Sequence, residues 1–328
     1  MIDDNIVTGG TGFIGYHLTR ELVERGERVI TISRYPDLRI IKSFGVNLDK
    51  ITVTRGDVTN IADLFATVKK NEVNGIVHLA SLLSVKTAAN PKLGFDINVK
   101  GVFNVLEVAR IMDVERVIYG SSCSVYGSAL YEPVDEEHPT NPGDLYGATK
   151  LCGEVWGLNY SDLYDLNFIV LRLGNVYGPG QIGQPDHPVA VDLIEDAFFK
   201  RRVKWRSGAD HKLNMVYAKD AARGICLAYY SNHLEHKIFN ISSGKQHTFR
   251  EIGDTVRKFI PDASVKIGSG IKSHEKVGLM SITRAKKELR YEPQYSLKEG
   301  IKDYLRWLQE SEKWWRTINL RMIAKKSS

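Results

Sequence analysis

The chain has 328 residues, 43% of them hydrophobic and 26% charged, with a formal net charge of +6. It is long enough to bury a large core in one big domain or two smaller ones, and its composition is that of a soluble globular protein. No apolar run approaches the ~20 residues of a membrane span, Met1-Ile2-Asp3-Asp4 lacks the basic and apolar regions of a signal peptide, and the scattered basic residues argue against a nucleic-acid partner.

The first element is a short apolar strand, Ile6–Thr8. Directly after it comes Gly9-Gly10-Thr11-Gly12-Phe13-Ile14-Gly15, and then a helical pattern over Gly12–Arg25 with Phe13, Ile14, Leu18, Leu22 and Val23 on its apolar face. Gly10, Gly12 and Gly15 satisfy G-x-G-x-x-G between a strand and a helix, where the motif has a mechanism. Glycine permits the tight turn and close approach of a pyrophosphate, and the helix N-terminus offers free N–H groups and a positive dipole end. The rival phosphate cradle needs a Gly-Lys-Ser/Thr ending that is missing here. This turn predicts dinucleotide binding.

Further strands are expected at Arg28–Ile32, Ile51–Thr54, Gly75–Leu79, Arg116–Tyr119 and Phe168–Leu173. Helices are expected at Ile61–Lys70, Leu93–Met112 and Tyr146–Tyr164. Short continuous apolar strands separated by helices predict a parallel sheet covered on both faces. The fold class is therefore α/β, a doubly wound Rossmann sheet whose ligands bind at the carboxyl ends of the strands.

From Gly178 the rhythm breaks. Pro179, Gly180, Gly183, Pro185 and Pro188 mark a long loop, followed by a helix around Val189–Lys200. Val216–Tyr217, the helical Ala218–Tyr229 and the strand Lys237–Ile241 read as a return to the main sheet. Helices near Phe249–Phe259, Arg284–Leu289 and Leu297–Gln309 complete a smaller lobe. The expected division is a dinucleotide-binding domain over 1–177 with 213–242 returning to it, and a substrate lobe from 178–212 and 243–328. The basic cluster Arg316, Arg321, Lys325 and Lys326 reads as a solvated, frayed tail. Cys123, Cys152 and Cys226 form no C-x-x-C pair and no metal-like cluster with the nine histidines, so free thiols in a reducing cytoplasm and no metal are expected.

Tyr146 and Lys150 stand four apart on one helical face. Ser121-Ser122-Cys123-Ser124-Val125-Tyr126-Gly127 follows the strand ending at Tyr119, His78-Leu79-Ala80 ends the fourth strand, and Arg55-Gly56-Asp57-Val58 follows the third. With the glycine-rich turn, Asn98 in Asn-Val-Lys-Gly, Arg172-Leu173-Gly174-Asn175-Val176-Tyr177-Gly178-Pro179 and Asp220-Ala221-Ala222, this order resembles the extended short-chain dehydrogenase/reductase family, the NAD-dependent epimerase/dehydratases. The resemblance runs from residue 5 to about 310.

A tyrosine with pKa near 10 is only about 0.1% ionised at pH 7, so a general base at this position wants its pKa lowered by roughly three units. Lys150, one turn away, supplies a charge that favours the phenolate. The resemblance implies that Tyr146 moves the substrate hydroxyl proton, that Lys150 also binds the nicotinamide ribose, and that Ser122 hydrogen-bonds the same substrate oxygen. It further implies a cofactor site made of Gly9, Gly12, Phe13, Ile14, Gly15, Ser33, Arg34, Asp57, Val58, Leu79, Ala80, Asn98, Tyr146 and Lys150. Asp57 would contact adenine, although it could equally cap the helix near Ile61. Ser84, Ser122, Cys123, Ser124, Tyr146 and Asn175 would meet the substrate. His78 reads as a hydrogen-bonded structural histidine, and Ser121 and Ser124 also read as turn hydroxyls.

Three departures from the family pattern carry expectations. NAD users have an acidic residue at the end of the second strand, whereas Ser33-Arg34 suits a 2′-phosphate, which favours NADP over NAD. Dehydratases carry Asp-Glu after their catalytic threonine, whereas Cys123-Ser124 stands here, which speaks against dehydration. Sugar-nucleotide epimerases place an arginine where Leu213 stands, beside Lys212, and another near His274-Glu275-Lys276-Val277-Gly278. With both missing, a smaller sugar, sugar acid or polyol without a nucleotide diphosphate is expected.

The leading expectation is an epimerase working by reversible hydride transfer at a carbinol or ketone carbon of a sugar-like substrate. A net NADP-dependent dehydrogenase or reductase is the alternative, and a non-catalytic NAD(P)-sensing protein the alternative of another class. The family packs its counterparts of Leu93–Met112 and Tyr146–Tyr164 into a four-helix dimer interface. A homodimer is therefore expected, with Leu93, Phe95, Val102, Val105 and Leu106 as candidate apolar surface.

Overall fold

The computed structural model describes residues 4–71, 73–181, 189–271 and 278–324. The chain runs β1 (Asp4–Thr8), α1 (Phe13–Glu24), β2 (Arg28–Ser33), α2 (Arg39–Ser43), β3 (Ile51–Arg55), α3 (Ile61–Asn71), β4 (Gly75–His78), α4 (Ser84–Ala89), α5 (Pro91–Phe95), α6 (Gly101–Ile111), β5 (Arg116–Ser122), α7 (Leu145–Tyr164) and β6 (Asn167–Leu173). It continues through β7 (Asn175–Tyr177), α8 (Val189–Phe198), β8 (Val203–Trp205), β9 (Lys212–Tyr217), α9 (Ala218–Tyr230), β10 (Ile238–Ile241), β11 (Gln246–Thr248), α10 (Phe249–Phe259), β12 (Val265–Ile267), α11 (Thr283–Leu289) and α12 (Leu297–Ala324).

Seven strands form one sheet in the order β10-β6-β5-β4-β1-β2-β3, and every neighbouring pair is parallel. Its central strands are apolar on both faces because helices cover both. Ile6, Val7, Ile76, Val77, Val117, Ile118, Ile169 and Val170 are all buried, as a doubly wound sheet requires. The carboxyl ends of β1, β2, β3 and β4 converge on one edge, and the crevice there is where this architecture binds ligands.

The structure departs from expectation in four places. The helix expected over Leu93–Met112 is three pieces: α5, a π-helical turn at Asp96–Lys100, and α6. Asn90 caps α5 through Leu93 N, and the π turn brings Asn98 inward. Val216–Tyr217 does not rejoin the main sheet; β9 pairs with β7 and β11 in a separate three-stranded sheet, while β10 does join the main sheet beside β6. Gly174 makes that exit possible, since a Cβ there would lie 2.6 Å from the Asn214 carbonyl oxygen.

α12 runs to Ala324 rather than ending near Gln309. It continues because Trp315 is still fully packed, donating its indole N–H to Glu195 at 3.1 Å. Arg316 and Arg321 thus lie within a helix rather than a frayed tail; Lys325 and Lys326 lie outside the described residues. Fourth, Val102, Val105 and Leu106 are buried in the chain's own core and offer no surface to a partner. The outward apolar side chains of these helices are instead Phe95, Phe103, Ile111, Val155, Trp156, Leu163 and Tyr164.

Candidate active site

The glycine turn is built by close approach. Gly9 has φ +71°, and a Cβ on it would lie 2.9 Å from Ala80 N; one on Gly15 would lie 2.1 Å from Gly9 O. α1 is therefore seated directly on the turn, its first amides free to bind an anion. The turn floors a cleft of about 380 Å³ lined by Gly9, Gly12, Phe13, Ile14, Gly15, Ser33, Arg34, Asp57, Val58, Leu79 and Ala80. All of these were expected at a cofactor site from their positions in the sequence. Thr11, Tyr35, Ser81 and Gln181 line it as well. The glycine cradle, the open helix terminus and the apolar strand ends fit a dinucleotide.

Arg34 leans over the outer end of this cleft, its Nε 3.9 Å from the Asp57 carboxylate and its guanidinium 6.0 Å from the Tyr35 ring. Asp57 does two jobs. It lines the cleft, and its Oδ1 accepts from Thr59 N at 2.9 Å, shaping the turn before α3. Asn98 is set behind the cleft: its oxygen accepts from Ser81 Oγ and Leu82 N, and its nitrogen donates to Leu82 O and Thr149 Oγ1. With its amide committed to these four bonds, Asn98 ties the loop after β4 to α7.

α7 starts at a side-chain cap, Asp144 Oδ1 accepting from Gly147 N at 2.7 Å. Ser84 donates to the other Asp144 oxygen, so Ser84 braces the helix start rather than standing free. Tyr146 follows, half-buried. Burial raises its hydroxyl well above the ordinary tyrosine value, while hydrogen bonds with Ser122 and Ser81 favour ionisation. One turn on, Lys150 is buried, donates to Gly120 O at 2.8 Å and lies 5.8 Å from the centre of the Tyr146 ring. Burial pulls its ammonium down to about 7, against the favourable charge of Glu154. The expected lowering of Tyr146 by Lys150 is not among the causes that act in the protein alone, where desolvation dominates.

Ser122 ends β5 and holds the following turn, accepting from Ser124 N at 3.2 Å and lying 3.1 Å from Ser124 Oγ. Ser121 is not a turn cap; its hydroxyl is buried and bonded to Glu154. His78 pairs with Thr8 Oγ1 at 2.7 Å, and burial pulls it down to about 3, so it stays neutral.

A second cleft, about 200 Å³, opens beyond the serine turn. Cys123, Ser124, Tyr126 and Asn175 line one side, and His211, Leu213, Asn214 and Met280 the other. The Tyr146 hydroxyl lies close enough to Ser81, which lines the dinucleotide cleft, and to Ser122, whose turn leads to Cys123 and Ser124 of the second, for both serines to favour its ionisation. Among the described residues lining the second cleft none is an arginine or lysine. Leu213 lies in that wall, while residues 274–277 lie outside the described residues.

The model of the NAD dependent epimerase/dehydratase family matches residues 5–242. The chain belongs to this family. It is an enzyme of the extended short-chain dehydrogenase/reductase type, which sets aside the alternative of a mere sensor. It is 29% identical to the UDP-glucose 4-epimerase of Mycolicibacterium smegmatis over 90% of this chain and 95% of that one. Among solved structures it superposes on MoeE5 in complex with UDP-glucuronic acid and NAD, with a TM-score of 0.81, 26% identity and 94% and 99% of the two chains covered. It also superposes on the epimerase Mth375 of Methanothermobacter thermautotrophicus, with a TM-score of 0.87, 25% identity and 96% and 94% covered.

Sequence reasoning missed Ser81, Gln181 and His211. Ser81 directly follows Leu79-Ala80 and was within reach of the strand-end argument. Gln181 and His211 carry no local signal; the fold alone brings them to the clefts. It also gathers Glu235, His236 and Glu288, which no spacing suggested, into a surface cluster held by a 2.6 Å His236–Glu288 pair. No helix among the described residues is long and apolar enough to cross a membrane.

Proposed function

We propose that the chain epimerises a carbinol carbon of a UDP-linked hexose, in a cytoplasmic setting where its three cysteines stay free. The observation that carries the reading is the grouping of Tyr146, Lys150 and Ser122: Lys150 Nζ lies 5.8 Å from the Tyr146 ring centre, and the Tyr146 hydroxyl is near Ser122 and near Ser81 of the dinucleotide cleft. When bound, a nicotinamide dinucleotide would supply a reversible hydride acceptor for the substrate carbon. Gly9, Gly12, Phe13, Ile14, Gly15, Val58, Leu79 and Ala80 would hold that dinucleotide. Tyr146 would take the hydroxyl proton and give it back, Ser122 would fix the substrate oxygen, and Lys150, anchored through Gly120 O, would bind the nicotinamide ribose.

The lobe made by 178–212 and 243–328 would close on the substrate, with Cys123, Ser124 and Asn175 touching the sugar. Cys123-Ser124, without a carboxyl pair, leaves no acid–base couple for dehydration. Support for the nucleotide comes from the relatives named for UDP-glucose and solved with UDP-glucuronic acid. For the cofactor form, Ser33 and Arg34 at the end of β2 favour NADP, since Arg34 already leans over the end of the cleft where Asp57 lies.

A second reading rests on Leu213, which puts a hydrocarbon where a diphosphate would want a guanidinium. It makes the substrate a smaller sugar or sugar acid. One experiment separates the two: calorimetry and turnover with UDP-hexoses, free hexoses and hexuronic acids, each with NAD and NADP. Micromolar binding and turnover of a UDP-hexose establishes the first reading and removes the second. Turnover confined to free sugars does the reverse, and net consumption of cofactor would replace epimerisation with oxidoreduction.

A further inference from the structure

The turn that leaves β7, Gly178-Pro179-Gly180-Gln181, runs back over the glycine-rich edge of the sheet. Gly180 has φ +86°, and a Cβ there would lie 2.7 Å from Ile40 Cγ2, so the turn is pressed against α2. Its last residue, Gln181, is 5% exposed and lines the dinucleotide cleft, and its Oε1 has no hydrogen-bond partner among the described residues. Buried amide oxygens are rarely left so. Thr11, in the glycine turn of the same cleft, has a buried hydroxyl in the same condition.

The turn is held from behind by α1. His17 is 2% exposed, its ring packed 5.0 Å from Phe44 and edge-on to Phe13 at 5.7 Å, and its Nε2 lies 2.9 Å from the Pro179 carbonyl oxygen. A carbonyl only accepts, so the ring hydrogen sits on Nε2. Burial pulls His17 down to about 4, which keeps the ring neutral, and its Nδ1 has no hydrogen-bond partner among the described residues. The turn thus has His17 bonded to its Pro179 carbonyl from behind and the orphaned Gln181 amide oxygen at its end in the cleft.

We propose that Gln181 Oε1 accepts a hydrogen bond from a ribose hydroxyl of a bound dinucleotide, and that His17 is its positioning residue, acting through the Pro179 carbonyl. The inference rests on the reading of the glycine-turn cleft as a dinucleotide site, and it adds two residues that the G-x-G-x-x-G motif does not contain. Gln181 supplies the contact; His17 touches no cofactor atom. Its hydrogen bond fixes where the backbone of Pro179 lies, and hence where the amide two residues later is presented.

Direct binding tests this without any turnover. Dissociation constants of NAD and NADP are measured by calorimetry, and release of the reduced forms by stopped-flow fluorescence, for the full chain and for Gln181→Leu, His17→Ala, His17→Gln and the double variant His17→Ala/Gln181→Leu. Gln181→Leu should weaken binding about three- to tenfold, the size of one ordinary hydrogen bond, and speed release to match. His17→Ala should do the same, and His17→Gln, whose amide reaches as far as Nε2 and donates to the same carbonyl, should restore most of it. The double variant should bind no more weakly than the worse single one, because both act through one contact.

Wild-type affinity in Gln181→Leu overturns the contact. Losses that multiply in the double variant, or no rescue by His17→Gln, overturn the positioning role. If His17→Ala fails to fold, Gln181→Leu and His17→Gln still decide. A wild-type protein that binds neither dinucleotide overturns the cleft reading itself, a result distinct from all of these.

Discussion

Arg172 grips Glu154 in a fully buried two-pronged pair, Nη2 to Oε2 at 2.7 Å and Nε to Oε1 at 3.1 Å. The pair lies directly beneath the Ser121–Ser124 turn, because Glu154 also takes the Ser121 hydroxyl and Arg172 donates to the Glu136 carbonyl. Breaking one partner leaves the other charge buried and alone, which costs about 3–5 kcal/mol. Arg172→Leu should therefore lower the unfolding free energy by that much in denaturant titrations. A loss below about 1 kcal/mol would mean that the pair is not a structural brace.

Tyr146→Phe should keep the ring packing and remove the proton-transfer group. Turnover should fall by at least the ~10²–10⁴ typical of general acid–base catalysis, with dinucleotide affinity close to wild type. Steady-state kinetics and calorimetry on the same preparation check this, and turnover within a few-fold of wild type removes Tyr146 from the role.

Arg34→Ala bears on cofactor choice. If its guanidinium reads a 2′-phosphate, NADP binding should weaken roughly 10- to 150-fold while NAD binding changes little, the worth of a charge-assisted contact. Equal titration of the wild-type protein by both dinucleotides would return NAD to first place.

Lys150 imposes a pH dependence on the cofactor-free protein. Burial holds it near 7, against 10.5 for an ordinary lysine. Between those values the unfolded chain carries a proton that the folded chain lacks, so this group makes stability rise with pH from about 7 to about 10. The scale is ~1.4 kcal/mol per pH unit across that window. Lys150→Met should flatten that rise in unfolding curves recorded across the window; an unchanged slope would show that Lys150 stays charged in the fold.

The outward apolar face of α6 and α7 should pair two copies. Phe103 and Trp156 already meet edge-on at 5.6 Å across these helices, with Val155, Leu163 and Tyr164 exposed on α7. Light scattering at micromolar concentration should give a dimer mass, and Trp156→Glu a monomer. A monomeric wild type would sink the idea.

The sheet and the glycine turn were legible because their causes are local. Apolar runs such as Ile76–Val77 and the strand–glycine–helix order need no distant partner to be read. The grouping of Tyr146, Lys150 and Ser122 was legible because Tyr146 and Lys150 share one helix and Ser122 ends one strand. What was not legible depends on long-range meetings. The fate of Asn98 is set by Leu82 and Thr149, sixteen and fifty-one residues away. Val102, Val105 and Leu106 look like an interface stripe until the fold turns that stripe toward α3 and the sheet. The separate sheet of β7, β9 and β11 follows from the exit at Gly174, which no periodicity announces.

The position of β10 at the rim of the main sheet has a consequence for synthesis. On the side away from β5, Val170–Leu173 pair with Ile238–Ile241, so a nascent chain with six strands already assembled waits for more than sixty further residues with that flank of its sheet unprotected. A truncated product ending near residue 177 would keep that flank bare for good, and an unprotected flank of this kind templates association with other chains. The nucleotide-binding half therefore depends on the later half for its own solubility.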